Sequence, residues 1–198
     1  IPPIEWNPGI PRELSSLVMR LLSKIPENRP QDWTEIVAEL ERILNSGRKS
    51  ELIEAFGESI EAYRKLSAHG MIVLIGETRD DISKEQQDEN ILECLLAVKP
   101  YAEKENINLF VEPLNATDRK NYYMPYSKPL FDILEKVNSK NVKMLFDIYH
   151  QQMTEGHLIE SIDAQISRIG HFHVADCPGR HEPGTGEINY PNVISHIA

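Results

Sequence analysis

Leu14, Leu17, Val18, Leu21, Leu22 and Ile25 recur at alternating steps of three and one, which places them on a single stripe of a helix over about 11–25. Pro11 suits the first turn of that helix. A Pro-Glu-Asn-Arg-Pro break at 26–30 follows, and then Asp32 and Glu35 stand where a helix start needs a capping acid and a partner reaching back. The second helix presents Ile36, Val37, Leu40, Ile43 and Leu44, so residues 1–47 read as a helical hairpin. The polar run Asn45-Ser46-Gly47-Arg48-Lys49-Ser50 reads as a linker and marks a domain boundary there, with a second domain over 48–198.

Beyond residue 50 the period switches. Helical patterns over about 51–68, 84–104, 127–138 and 157–168 alternate with short apolar runs at 71–75, 108–112, 142–147 and 171–176. Strands that are apolar on nearly every residue are buried on both faces, and helix-to-strand units in series supply that cover, so the pattern predicts an α/β fold with a parallel sheet.

Three of the four predicted strands end in a side chain that a buried strand has no use for. These are Glu112 in Val111-Glu112-Pro113, Asp147 in Phe146-Asp147-Ile148-Tyr149-His150, and His173 in His171-Phe172-His173-Val174-Ala175-Asp176. The C-terminal ends of parallel strands open on one mouth, so the three would meet although far apart in the chain. Taken singly, each has a plainer role: an acid at a strand end often caps the next helix, and a histidine among apolar residues is often a core residue. The repetition at three ends argues for a shared site. Two carboxylates and an imidazole suit a divalent ion such as Mg²⁺, Mn²⁺, Co²⁺ or Zn²⁺.

Charge and composition narrow the partners. A net charge of −10 and a pI near 5.2, with no local basic patch, argue against a nucleic-acid partner. No run approaches the length of a membrane span, and the N-terminus lacks the basic and apolar regions of a signal peptide, so a cytoplasmic protein without a membrane partner is expected. Cys94 and Cys177 are the two cysteines and read as reduced thiols. The start at Ile1 suggests a fragment.

Several segments together resemble one family. Val111-Glu112-Pro113-Leu114-Asn115, Asp118-Arg119, Phe146 to His150 with Gln152, and the long run Pro178-Gly179-Arg180-His181-Glu182-Pro183-Gly184-Thr185-Gly186-Glu187-Ile188-Asn189-Tyr190 are similar to hydroxypyruvate isomerase and its relatives among the xylose-isomerase-like TIM barrels. The resemblance covers about 51–198 and implies a partial (β/α)8 barrel, four parallel strands corresponding to strands four to seven of eight. It implies that Glu112 is metal ligand and acid/base, that Asp147 and His173 are ligands, and that His150 and Arg180 contact substrate. His181 and Glu187 stand between substrate contact and loop-folding roles. Many hydroxypyruvate isomerases have Gln where His173 stands, which leans toward the wider sugar isomerase and epimerase pattern. The family's second acid/base is a Glu on the last strand, which this chain does not reach, so the resemblance implies a small hydroxy-carbonyl isomerase impaired by truncation. A non-catalytic interaction or scaffold module, with homo-oligomers formed through open sheet edges, is the competing expectation. The epimerase and endonuclease branches rank lower. Residues 10–14 and 21–30 in turn resemble the closing helices of a bacterial Ser/Thr protein kinase over about 1–44. The Gly-rich loop, strand lysine and catalytic aspartates of a kinase are missing, so no phosphotransfer is expected.

Overall fold

A computed structural model describes residues 1–197, with the side chains at 33 and 45–47 outside the description. Packing divides the chain into two compact units, Ile1–Ser59 and Ile60–Ala198. The first contains α1 (Pro3–Trp6), α2 (Arg12–Leu21) and most of α3 (Trp33–Leu66). Asp32 caps α3 by accepting the Glu35 N–H at 2.9 Å, and Glu35 reaches back to the Gln31 N–H at 3.2 Å. Arg29 closes the turn before it, donating from Nε to the Ser23 carbonyl at 2.7 Å.

Two expectations need correction in this unit. The stripe predicted to run to Ile25 stops at Leu21, and Leu22 and Ile25 are exposed. The polar run at 45–50, expected as a linker, lies inside α3. A glycine costs a helix only about 1 kcal/mol relative to alanine, and the run has no proline to break the ladder, so helix on both sides carries through it.

The second unit is a parallel sheet with helices. Among the described residues, β1 (Met71–Leu74), β2 (Leu109–Glu112), β3 (Val142–Asp147) and β4 (Ile169–His173) form one sheet in the order β1-β2-β3-β4, each pair parallel. The intervening helices are α4 (Lys84–Glu105), α5 (Ser127–Val137), α6 (Ile148–Thr154) and α7 (Leu158–Gln165), with α8 (Tyr190–Ser195) after β4. Ser83 caps α4 by accepting the Gln86 N–H. Both α4 and α5 stop on an asparagine in the left-handed region, Asn106 at φ 52° and Asn138 at φ 47°, each returning its N–H to the preceding turn.

Alternate residues of the strands, Leu109, Val111, Val142, Met144 and Phe146, are buried almost completely on the face covered by α4 and α5. Leu95 and Val98 of α4 and Leu130, Phe131, Leu134 and Val137 of α5 fill that layer. Each such side chain withdrawn from water contributes about 1.5–3 kcal/mol. No helix among the described residues is long and apolar enough to cross a membrane, and both cysteines are free, Cys94 exposed and Cys177 buried.

The strand expected at 171–176 starts and ends earlier. Gly170 forms a bulge: Met144 pairs with Ile169 but Leu145 pairs with His171, skipping one residue. Past His173 the chain leaves the sheet, because the Asp176 N–H turns to the His181 carbonyl at 2.8 Å.

Candidate active site

Glu112, Asp147 and His173 are the last residues of β2, β3 and β4. Parallel pairing therefore puts all three on one rim, with Asp147 directly opposite His173. The His173 Nδ1 lies 3.3 Å from Glu112 Oε1 and 3.6 Å from Asp147 Oδ2. The bulge makes this possible. In a regular strand side chains alternate, and one extra residue turns every later side chain to the other face. The skipped Gly170 thus aims His171 and His173 to the side that bears Glu112 and Asp147. The glycine is needed there, since a Cβ would lie 2.7 Å from a Phe110 ring carbon and 2.9 Å from the Lys143 Cβ.

The two carboxylates are buried. Burial pushes the Glu112 carboxyl above its ordinary range, against the pull of the neighbouring His173. Asp147 has two tasks. Its Oδ1 caps α6 by accepting the His150 N–H at 3.1 Å, and its Oδ2 receives Arg180 Nη2 at 2.8 Å. The capping role and the site role weighed for a strand-end acid are therefore both present in one side chain.

His150 sits a helical turn along from Asp147, and one ligand-type atom each from Glu112, Asp147 and His150 lie within 4.8 Å of one another. Burial holds the imidazole below its ordinary pKa. Its Nδ1 accepts the backbone N–H of Asn115 at 3.1 Å, so in the neutral ring the proton is on Nε2. Arg180 Nη1 approaches that Nε2 to 3.0 Å, a close approach of two donors rather than a hydrogen bond.

Around this centre stand groups that the sequence reading passed over or noted only as motif letters. The buried Asn115 also reaches Asp118 Oδ2 at 3.0 Å and accepts the Asp118 N–H at 2.8 Å; Tyr149 donates to the same Asp118 oxygen at 3.0 Å. The Arg180 guanidinium lies over the Tyr149 ring, 5.1 Å from its centre. Tyr122 joins the ends of β1 and β2, accepting the Ile75 N–H at 3.0 Å and donating to the Glu112 carbonyl at 2.6 Å. Asp176, expected at the end of a strand, is instead fully buried in the loop and accepts N–H groups from Cys177, Gly184 and Ile188 at 2.9, 2.7 and 3.1 Å. The glycines of the Pro-Gly-Thr-Gly run were the available signal for it.

Of the residues expected to touch substrate, His150 and Arg180 stand at the rim. His181 and Glu187 are exposed, and their backbone groups tie the loop: the His181 carbonyl receives the Asp176 N–H, and the Glu187 N–H reaches the Cys177 carbonyl at 2.7 Å. The Glu187 carboxylate accepts from Gln152 at 3.3 Å.

The profile of one family, described as xylose isomerase-like TIM barrel, matches residues 28–198. The chain belongs to that family. Its relatives within the xylose isomerase-like barrels include hydroxypyruvate isomerase of Escherichia coli (strain K12), 34% identical over 151 residues, 76% of this chain and 58% of that protein. They also include 2-oxo-tetronate isomerase of Cupriavidus necator, 30% identical over 164 residues, 82% of this chain and 62% of that protein. Among solved structures of the same barrel, AP endonuclease, family 2, from Brucella melitensis superposes with a TM-score of 0.72 at 26% identity, covering 77% of this chain and 58% of that one. The chain thus spans about three-fifths of the length of these relatives. The barrel match begins inside the segment that resembles a kinase, and none of these relatives supports that second resemblance.

Proposed function

We propose that this chain forms the cation-binding and acid/base rim of an isomerase acting on small hydroxy-carbonyl compounds, most like hydroxypyruvate isomerase. The observation that supports it is the meeting of Glu112, Asp147 and His173 at three neighbouring strand ends, with the imidazole 3.3 and 3.6 Å from the two carboxylates. The donor set fits a divalent ion: two buried carboxylates supply negative charge that burial alone would penalise, and an imidazole nitrogen completes a mixed oxygen and nitrogen shell. Glu112, Asp147 and His173 are the proposed ligands. His150 is assigned to substrate instead, because its Nδ1 is occupied by Asn115 and the remaining Nε2 is a donor.

Conversion of hydroxypyruvate to tartronate semialdehyde removes a proton from the carbon bearing the hydroxyl and returns one to the neighbouring carbonyl carbon, while the hydroxyl proton passes between the two oxygens. Glu112 is the proposed base, a buried carboxylate at the rim beside His173. A bound divalent ion supplies electrophilic stabilisation of the negative charge that develops on the two adjacent oxygens. His150 Nε2 and Arg180 Nη1 lie 3.0 Å apart, so the two donors are proposed to share one substrate oxygen between them. Arg180, a planar fork held over Tyr149, is placed for a carboxylate. Calorimetric titration with Mn²⁺, followed by an assay for the hydroxypyruvate conversion, tests both halves. Absence of Mn²⁺ binding would remove the cation site, and binding without turnover would remove the activity.

A second reading, an interaction module acting through its sheet, rests on Ile72 and Leu74 of β1, exposed at 51% and 56%. Light scattering decides it: a monomer at all concentrations counts against it.

A further inference from the structure

The mechanism above leaves one buried charge without a task. Asp176 is fully buried, and a carboxylate in that position is tolerated only when hydrogen bonds replace its water. Its Oδ1 accepts the N–H groups of Cys177 and Ile188, and its Oδ2 accepts that of Gly184. Burial raises its pKa, yet these donors together with the Gly186 N–H outweigh burial and hold the carboxyl below its ordinary value.

The geometry around it admits little else. A Cβ at Gly186 would stand 2.3 Å from the Cys177 carbonyl oxygen and 2.6 Å from Asp176 Oδ1, so the backbone can close on the carboxylate only through glycine. Gly184 takes a φ of +90° to deliver its N–H. The short segment between Cys177 and His181 is closed at both ends by this one residue: the Cys177 N–H by its side chain, and the His181 carbonyl by its own N–H. Arg180 lies inside that closure in the left-handed region, at φ 59°.

We propose that Asp176 is a positioning residue, whose carboxylate gathers the N–H groups of residues 177, 184, 186 and 188 and so sets the loop that holds the Arg180 guanidinium against Asp147 and over Tyr149. Its consequence for turnover rests on the reading of Arg180 as the grip for a substrate carboxylate, but its structural content does not. The test uses the full chain and the Asp176→Asn variant, which keeps the shape and loses the charge. In the wild type the ¹⁵N-labelled guanidinium of Arg180, assigned by its disappearance in Arg180→Met, should give restricted Nη signals without added metal. In Asp176→Asn those signals should collapse to the averaged signal of a free arginine while the far-ultraviolet spectrum of the fold is kept.

In turnover, Asp176→Asn should raise KM for hydroxypyruvate about tenfold, the size expected for a hydrogen bond to a charged group, with kcat changed by less than about threefold. Arg180→Met should do the same, and the double variant should be no worse than Arg180→Met alone. Should Asp176→Asn fail to fold, Gly184→Ala gives the same readouts, because its methyl meets open space and only the left-handed backbone is disturbed. Unchanged Arg180 signals in either folded variant, or KM effects that add in the double variant, overturn the proposal. A wild type without turnover would count against the isomerase reading alone, with the Arg180 signals still deciding the role of Asp176.

Discussion

The two faces of the sheet use the same strands for opposite purposes. On the face beneath α4 and α5, Val142, Met144 and Phe146 of β3 are 2% exposed or less, and every side chain is apolar. On the other face the same strand offers Lys143, Leu145 and Asp147, flanked by Phe110 and Glu112 of β2 and by His171 and His173 of β4. One face holds the sheet together; the other assembles charge at its rim. Their separation is a matter of alternation, since a strand with period two can serve packing on odd positions and chemistry on even ones.

The comparison can be broken most directly at Glu112. If the rim is chemical, Glu112→Gln should lower the proposed turnover on the order of 10²–10⁴-fold, the range for loss of a general acid or base, as read in the hydroxypyruvate assay. On the covered face Phe146→Ala should cost about 3–5 kcal/mol of stability in urea unfolding, because a large side chain is lost from a site with no access to water. Loss of turnover in Phe146→Ala under conditions where it remains folded would show that the two faces are not separable.

The bulge links the faces, so Gly170→Ala should fall between them. A methyl against the Phe110 ring and the Lys143 side chain should cost about 1–3 kcal/mol by overpacking, and calorimetry should show weaker Mn²⁺ binding as His173 moves. Unaltered Mn²⁺ affinity would remove His173 from the ligand set.

A smaller effect sharpens the contrast through pH. Because Glu112 has a raised pKa in the folded chain, the folded state keeps a proton that the unfolded state has already released above the ordinary value of 4.5. Without added metal, stability should therefore decline as pH rises from 4.5 through the raised value. Glu112→Gln should flatten that decline and be the more stable chain at neutral pH, measured by thermal unfolding across pH. The smallest change is expected at the exposed Ile72, where Ile72→Ala should shift stability by less than about 1 kcal/mol.

The elements of the second unit were legible because each has a local signature. Strand β3 needed only its apolar run, α4 its Ser83 cap, and both α4 and α5 the asparagine that ends them. The three rim residues were legible for a related reason: a carboxylate or imidazole closing an apolar strand has no local purpose. His181 and Glu187 were harder, because the same Pro-Gly-Arg-His-Glu-Pro-Gly run serves equally to fold a loop or to touch a ligand. The linker expected at 45–50 shows the opposite case, in which a polar composition resembles a break although nothing in it prevents helical hydrogen bonding.

What the residues alone determined is periodicity and chemical type: which segments are helix or strand, which side chains are out of place in them, and a net charge of −10. What only the tertiary structure decided is direction. The extra residue at Gly170 turns His173 toward Asp147, and the backbone amides converging on Asp176 bring Arg180 to the rim. Both depend on pairing between strands and on contacts through space, which no local pattern encodes, because the free energy that selects a register belongs to the packed sheet and not to any one of its strands.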